Sequence, residues 1–275
     1  MTANVDSHQH FWRLDRGDYG WLTPDLKPIY RDRLPADLAP QLSRAGVGAT
    51  IAVQAAPTVA ETRFLLQLAR EHSFIAGVVG WADFESAGAA AAIGELAADV
   101  NLVGLRPMIQ DIPDPEWMLR QELDPAFEAM VDHGLVFDAL VKPQHLPALR
   151  ELSARYPDLT MVLDHAAKPP LAGGDLGGWK RDIAALAESS EIVCKVSGLV
   201  TEAGNADAPT FLECTDHLLE TFGPQRLLWG SDWPVCELVC SYEDWRHTSG
   251  ILFNTLSFSE REQVNSAVAR KTYGI

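Results

Sequence analysis

Short runs rich in Val, Ile and Leu alternate along the chain with longer stretches whose apolar positions recur every three or four residues. The runs are typical of buried strands and the stretches of amphipathic helices. Because the runs are apolar almost throughout, we expect parallel strands with helices packed on them. The predicted strands are 5–10, 49–55, 75–83, 102–108, 135–141, 160–166, 192–199 and 227–234.

Each predicted strand is followed by a predicted helix. Proline stands where several helices would start, and glycine follows several helical runs as a stop signal. The helices are predicted over 35–45, 59–72, 85–98, 123–133, 143–155, 177–188, 208–221 and 259–271.

Eight βα units with no linker between them indicate a single-domain (β/α)₈ TIM barrel over residues 1–275. A doubly wound sheet is the alternative, but the first βα turn lacks the Gly-rich dinucleotide fingerprint. In a barrel the active site lies at the carboxyl ends of the strands. The long segment 13–34 after the first strand is predicted to be a functional loop.

Composition and charge restrict the classes of molecule that the protein is expected to bind. With 47% hydrophobic and 22% charged residues the chain is globular, and its net charge of −16 disfavours nucleic acid and anionic membrane surfaces. Neither a basic leader nor an apolar run long enough to span a bilayer is present, which favours a cytoplasmic protein. Four cysteines in a chain of this length are expected to be reduced, structural thiols.

Chemically versatile side chains stand at the predicted strand ends. Side chains alternate along a strand, so His8 and His10 point to the same side, and His165 and Asp232 end the sixth and eighth strands. Three imidazoles and a carboxylate suit a zinc-like ion and can activate water. The alternative is four unrelated polar residues. In a regular strand Asp164 would point away from His165, which predicts that it either supports the residues of the site from behind or has a structural role.

Other candidates would bind the substrate. Arg106 ends the fourth strand, where it could fix substrate oxygens by charge-assisted hydrogen bonds or serve as a structural ion pair. A wall for the apolar face of a sugar ring could be formed by Lys27, in the long loop, together with Trp12, Tyr19, Trp21, Trp81 and Trp117, although most of these aromatic residues could instead belong to the core. Lys168 is a further candidate donor.

Three motifs, taken in order, carry a family resemblance: the His-x-His at the start, Asp-His-x-x-Lys-Pro at 164–169 and Gly-Ser-Asp-Trp-Pro at 230–234. Together they resemble the amidohydrolase superfamily, and within it the amidohydrolase 2 branch of sugar lactonases and 2-pyrone-4,6-dicarboxylate lactonase. Within that branch the chain is most similar to the L-fuconolactonases and L-rhamnonolactonases. The resemblance implies a distorted (β/α)₈ barrel that hydrolyses a small sugar lactone.

The chain departs from the binuclear members of that superfamily, which carry a Lys or His ligand at the end of the fifth strand. Here 137–141 reads Phe-Asp-Ala-Leu-Val. The resemblance therefore implies either one divalent ion, zinc, held by His8, His10, His165 and Asp232, or catalysis that requires no metal.

Ester hydrolysis needs a base for water and a means of polarising the carbonyl. We expect Asp232 to be the base and His8, His10 and His165 to polarise the lactone carbonyl. Two alternatives remain open from the sequence. One is a metal-dependent decarboxylase of the same branch, and the other is a sugar-binding protein without catalytic activity.

Overall fold

Eight parallel strands form one sheet in which every strand pairs with its successor in sequence. The computed structural model describes residues 3–173, 175–204 and 208–275. The strands are β1 (Asn4–Gln9), β2 (Val47–Val53), β3 (Ile75–Gly80), β4 (Leu102–Leu105), β5 (Val136–Ala139), β6 (Met161–Leu163), β7 (Val193–Val196) and β8 (Leu227–Trp229).

The sheet closes where β1 meets the chain that leaves β8. The Asp232 amide donates to the His8 carbonyl at 2.8 Å, and the His10 amide donates to the Trp233 carbonyl at 2.7 Å. Gln9 and Trp233 form a parallel bridge. Closure therefore occurs beside the histidines of β1, and the predicted (β/α)₈ barrel is confirmed.

Helices surround the sheet. They are α1 (Pro35–Ala45), α2 (Val59–Glu71), α3 (Ala89–Ala97), α4 (Asp124–Asp132), α5 (Leu146–Arg155), α6 (Leu176–Ser189), α7 (Leu199–Glu202), α8 (Ala208–Phe222), α9 (Tyr242–Leu252), α10 (Phe258–Glu262) and α11 (Val268–Tyr273). A π-helical turn, Gln263–Ala267, joins the last two. Within the described residues, no helix is long and apolar enough to cross a bilayer.

Local signals account for most helix boundaries. Pro35 is the first residue of α1, and Gly46 and Gly134 follow α1 and α4 with φ of 64°. The prediction lacked α9, which follows β8 without an intervening strand. A signal for it exists, because Ser241 and Asp244 form a capping box at its start.

Two apolar layers hold the barrel. One packs the outer helices against the sheet. The other gathers Val5, Val79, Val136 and Leu228, among others, with Tyr273 of α11. Because residues from strands on different sides of a barrel can meet only across its interior, this second layer fills the interior. The four cysteines are free, as expected.

The strands end earlier than predicted. β6 stops at Leu163 and β8 at Trp229, so the residues expected at their ends lie just beyond the hydrogen-bonded ladder. Their side-chain directions are therefore set by turns rather than by the alternation of a strand. This difference decides the geometry of the site.

Candidate functional site

Three imidazoles converge on one carboxylate oxygen at the mouth of the barrel. The distances to Asp232 Oδ1 are 3.2 Å from His10 Nε2, 3.8 Å from His8 Nε2 and 4.0 Å from His165 Nε2. All four residues are at most 5% exposed. The structure thus brings together the set predicted from β1, β6 and β8.

A left-handed turn points His165 into the site. From His165 to Lys168 four consecutive non-glycine residues have φ between 50° and 57°, a conformation that costs about 1–2 kcal/mol per residue. The Trp179 indole stabilises the turn by donating to the Ala166 carbonyl at 2.7 Å. Strain of this kind persists only where the surroundings enforce it, and it is common at functional sites.

The same turn overturns the expected direction of the Asp164 side chain. Instead of pointing away from the histidines, its Oδ2 receives a hydrogen bond from Arg106 Nη1 at 3.1 Å, and its Oδ1 lies 3.4 Å from His8 Nδ1. The expectation assumed a regular strand through residue 166, whereas β6 ends before Asp164. Asp164 is therefore in direct contact with the site.

Asp232 also has a left-handed backbone conformation, with φ of 57°. Its neighbour Ser231 donates its amide to Asp6 Oδ1 at 2.8 Å, and Tyr242 of α9 donates its hydroxyl to Asp6 Oδ2 at 3.1 Å. The buried Asp6 carboxylate therefore ties the chain after β8 to β1. Through these bonds it holds Asp232 close to His8 and His10.

Burial and mutual charge set the protonation states at the site. Burial chiefly lowers the pKa of His165 to about 4 and that of His8 well below its ordinary value. Burial alone would raise the pKa of Asp232, but the adjacent imidazoles outweigh it and the pKa is lowered. At neutral pH Asp232 is therefore ionised, while His8 and His165 are uncharged.

Hydrogen bonding fixes the tautomer of His10. Its Nδ1 lies 2.8 Å from the Val53 carbonyl, which can only accept, so Nδ1 carries the proton and Nε2 has a lone pair. That lone pair faces the Asp232 carboxylate at 3.2 Å. Two acceptors in contact require a proton or a cation between them, and a neutral His10 cannot donate to a lactone carbonyl.

The donor set fits a divalent ion. His8, His10 and Asp232 offer ligand atoms within 4.8 Å of one another. Tetrahedral zinc with bonds of about 2.0–2.1 Å places its ligand atoms about 3.3 Å apart, close to the His10–Asp232 distance. The second nitrogen of His10 already donates to a carbonyl, as is usual for metal-ligating histidine.

His8 can adopt either tautomer. Its Nδ1 lies 3.3 Å from Lys195 Nζ, which donates, and 3.4 Å from Asp164 Oδ1, which accepts. With Lys195 donating, the proton stands on Nε2, which can then donate to a carbonyl oxygen. With Asp164 accepting, Nε2 keeps a lone pair, which can accept a hydrogen bond from Arg106 Nη1, 3.4 Å away, or ligate a metal. The buried Lys195–Asp164 pair is thus compatible with His8 as a hydrogen-bond donor and with His8 as a metal ligand.

Above these residues lies a cavity of about 230 Å³. It contains five of the predicted residues, namely His10, Arg106, His165, Lys168 and Asp232. The other lining residues are Trp21, Ala55, Met108, Gln110, Asp111, Leu140, Thr201 and Val235. The cavity combines polar groups at its floor with an aromatic and aliphatic wall, which is typical of small-molecule sites.

Several residues predicted to bind the substrate do not line this cavity, namely Lys27, Trp12, Trp81, Tyr19 and Trp117. Lys27 is exposed on the long loop. Trp12 is buried, and its indole donates to the Arg31 carbonyl within that loop. Trp81 exchanges two hydrogen bonds with Thr62 of α2 through its backbone. Of the aromatic residues predicted to form the wall, Trp21 does line the cavity, and its ring packs edge-on against Trp12.

Arg106 forms a buried ion pair, which was one of the two alternatives for it, and it also lies at the cavity. It lines the cavity and is 3% exposed. Its guanidinium also forms the ion pair with Asp164 and donates to the Gln54 carbonyl. The side-chain amide of Gln54 in turn donates to the Arg106 backbone carbonyl at 2.7 Å. The residues that directly follow β2 and β6 therefore hold the Arg106 guanidinium in place, while part of the side chain faces the cavity.

Sequence reasoning did not find the buried ion-pair network below the histidines. Lys195 of β7 contacts Asp138 of β5 and lies 3.0 Å from Asp164 Oδ1. The Tyr273 hydroxyl donates to Asp138 at 2.9 Å. Charged residues inside otherwise apolar strands were the available signal, since fully buried charges need partners.

Gly198 is expected to be essential to the position of His165. Its φ is 67°, and an added Cβ would lie 2.6 Å from His165 Nδ1. Gly198→Ala should therefore displace the imidazole and lower kcat/KM about a hundredfold, since a shift of about 1 Å has an effect of this size.

Gly134→Ala is the matched control for that variant. Gly134 has φ of 64°, but nothing lies within 4 Å of an added Cβ. Both variants should lose about 1 kcal/mol of folding free energy from the left-handed backbone, measured by denaturant unfolding. Equal activity in the two variants would contradict a role for Gly198 in placing His165.

Comparison with known proteins places the chain in a family. The amidohydrolase family model matches residues 5–275. An L-fucono-1,5-lactonase of Burkholderia ambifaria is 46% identical over 89% of this chain and 85% of its own. Another, of Burkholderia multivorans, is 37% identical over 100% and 97%. A crystal structure of a Burkholderia multivorans amidohydrolase with bound zinc is 36% identical, with a TM-score of 0.93 over 100% of both chains. The chain therefore belongs to the amidohydrolase family.

Proposed function

We propose that the protein hydrolyses a sugar-derived lactone, an aldonolactone of the L-fucono-1,5-lactone type, to the open-chain acid. The observation that carries the proposal is the ionised Asp232 carboxylate held among three imidazoles at the floor of a small cavity. Two relatives that cover most of the chain are L-fucono-1,5-lactonases. The site chemistry and the relatives support the same reaction class.

Asp232 acts as the base in this proposal. It removes a proton from a water molecule as the water oxygen attacks the lactone carbonyl carbon. The bond between that carbon and the ring oxygen then breaks. The proton held by Asp232 passes to the departing alkoxide, so the carboxylate is regenerated and the ring opens to a hydroxy acid.

Donors near Asp232 stabilise the oxyanion that forms on the carbonyl oxygen. His8 serves as a donor when Lys195 hydrogen-bonds its Nδ1, since the proton then stands on Nε2. The guanidinium of Arg106 faces the same cavity and is fixed by Asp164. A rigidly held donor loses little entropy when it binds the transition state.

A single divalent ion, zinc, belongs to the proposal. His10 and Asp232 would hold it together with His8 or His165, and the facing acceptors of His10 and Asp232 support a cation at this point. A related amidohydrolase contains zinc. When bound, such an ion polarises a carbonyl and lowers the pKa of water.

The remaining cavity wall accommodates the sugar. Trp21 is 36% exposed and is fixed by a hydrogen bond from its indole to the Ala55 carbonyl at 2.7 Å. Its ring, with Met108 and Leu140, offers an apolar surface to the carbon face of a pyranose ring. Gln110 and Thr201 provide polar partners for ring hydroxyls.

A panel of five- and six-membered sugar lactones tests the function by proton release, with and without a chelator. We expect turnover of a six-membered aldonolactone, loss of at least about tenfold in rate after chelation, and recovery with zinc. Evolution of carbon dioxide from an aromatic acid would favour the decarboxylase, and binding without turnover would favour a sugar-binding protein. Full activity in metal-free protein would remove the ion from the proposal.

A further inference from the structure

Both cationic side chains that line the cavity are neutralised by carboxylates outside the lining. Arg106 pairs with the buried Asp164 at 3.1 Å. Lys168 pairs with Glu202 at 2.7 Å between Nζ and Oε1. Neither Asp164 nor Glu202 belongs to the described lining. Each cation therefore presents donors to the cavity without contributing a net charge.

A carboxylate at the cavity rim is not neutralised in this way. Asp111 is exposed there, and its nearest side-chain partner within the described residues is the uncharged amide of Gln110, at 3.4 Å. The rim of the cavity is therefore negative, in a chain of net charge −16.

Local structure keeps Lys168 and Glu202 together. Lys168 ends the left-handed turn that begins at His165, with φ of 53° and ψ of 69°. Gly198 starts the short helix α7, which ends at Glu202 and places Thr201 on the cavity wall. The turn and α7 thus bring a lysine and its neutralising glutamate to one side of the cavity entrance.

We propose that Glu202 is a specificity-determining residue, which cancels the charge of Lys168 so that the cavity accepts uncharged lactones and rejects lactones that carry a carboxylate. This inference rests on the proposed function. An unpaired lysine at this point would be a binding site for a carboxylate, because an ammonium donates charge-assisted hydrogen bonds to it. Paired with Glu202, it can still donate to a sugar hydroxyl.

The same arrangement affects the product. Hydrolysis turns a neutral lactone into an anionic aldonate, so the product gains a charge of the sign that the rim repels. With Lys168 neutralised by Glu202, the entrance of the cavity adds no free cation that would retain the new carboxylate. Glu202 therefore favours product release as well as selecting the substrate.

Glu202→Gln tests the inference, since it keeps the shape of the side chain and removes its charge. We expect kcat/KM for an aldarolactone, which carries a carboxylate on the same ring, to rise about tenfold relative to the neutral aldonolactone. Binding of the aldonate product, measured by calorimetry, should tighten by a similar factor. Adding Lys168→Met to the same chain should abolish both gains.

Glu213→Gln is the matched control, because Glu213 also pairs with a lysine, Lys180, at 2.5 Å but lies outside the described lining. Glu213→Gln should change neither the kcat/KM for the aldarolactone relative to the aldonolactone nor the affinity for the aldonate. Equal behaviour of the two Gln variants, or a wild type that turns over both lactone types equally well, would overturn the role of Glu202. If the wild type hydrolyses neither lactone, the proposed function fails, while unchanged aldonate binding in Glu202→Gln would overturn this inference separately.

Discussion

Asp232→Asn is expected to lower kcat for lactone hydrolysis about a thousandfold, within the range typical of a lost general base. The amide cannot take a proton from water. The fold should survive, because Asn has the same shape and tolerates the left-handed conformation of residue 232, where φ is 57°. The measurement is single-substrate kinetics beside a thermal unfolding curve.

A control and a binding measurement separate the roles of this carboxylate. Asp83→Asn changes an exposed carboxylate outside the described cavity lining, whose Oδ1 accepts only from the Glu85 amide, and it should keep kcat. Zinc affinity measured by chelator competition shows whether Asp232→Asn also weakens metal binding. Normal turnover in Asp232→Asn would show that the base is another group.

Lys195→Met is expected to destabilise the protein by about 3–5 kcal/mol, because it leaves the buried Asp138 carboxylate without a cation and Asp164 with Arg106 alone. Lys195 is fully buried and contacts both Asp138 and Asp164. For a chain of this size the loss corresponds to a fall in melting temperature of about 10 °C. Lys180→Met, which breaks the partly exposed pair with Glu213, should cost less than about 1 kcal/mol.

The penalty in Lys195→Met should grow with pH. Burial, opposed by Lys195, already raises the pKa of Asp138 to about 6, and losing the lysine raises it further. A carboxyl group with a raised folded-state pKa stabilises the fold at low pH, and this contribution is lost as pH rises towards the folded pKa. Unfolding at pH 5 and pH 8 measures the difference.

A double variant checks the cause of that destabilisation. Adding Asp138→Asn to Lys195→Met removes the unpaired charge, while Tyr273 can still donate its hydroxyl to the amide oxygen. Part of the lost stability should return. Equal stability of the single and double variants would mean that packing of the lysine stem, and not its charge, is what the substitution removes.

The convergence of the four residues at the mouth was predictable because each of them lies close to a strand end in the sequence. A barrel brings all strand ends to one face, so recognising eight βα units was enough to expect His8, His10, His165 and Asp232 in one place. The approximate strand limits did not matter for this conclusion. A displacement of two residues still leaves each side chain at the mouth.

The direction of side chains outside the ladder was not predictable. Asp164 was expected to point away from the site, because alternation was extended through a segment that is in fact a left-handed turn. The aromatic wall was predicted too broadly for a similar reason, since of the five candidate rings Trp21 alone lines the described cavity. In the 13–34 loop no repeating pattern distinguishes Trp12, which is buried, from Trp21, which faces the cavity.

The sequence by itself determined the barrel, the order of its elements and the residues at its mouth, because hydrophobic periodicity and strand order are local properties of the chain. The tertiary structure decided which atoms face each other. It showed that His10 turns a lone pair to Asp232, that Lys195 and Asp164 compete for His8, and that Glu202 neutralises Lys168. These pairings join residues distant in sequence, and their directions depend on turns whose conformation only the surrounding packing enforces.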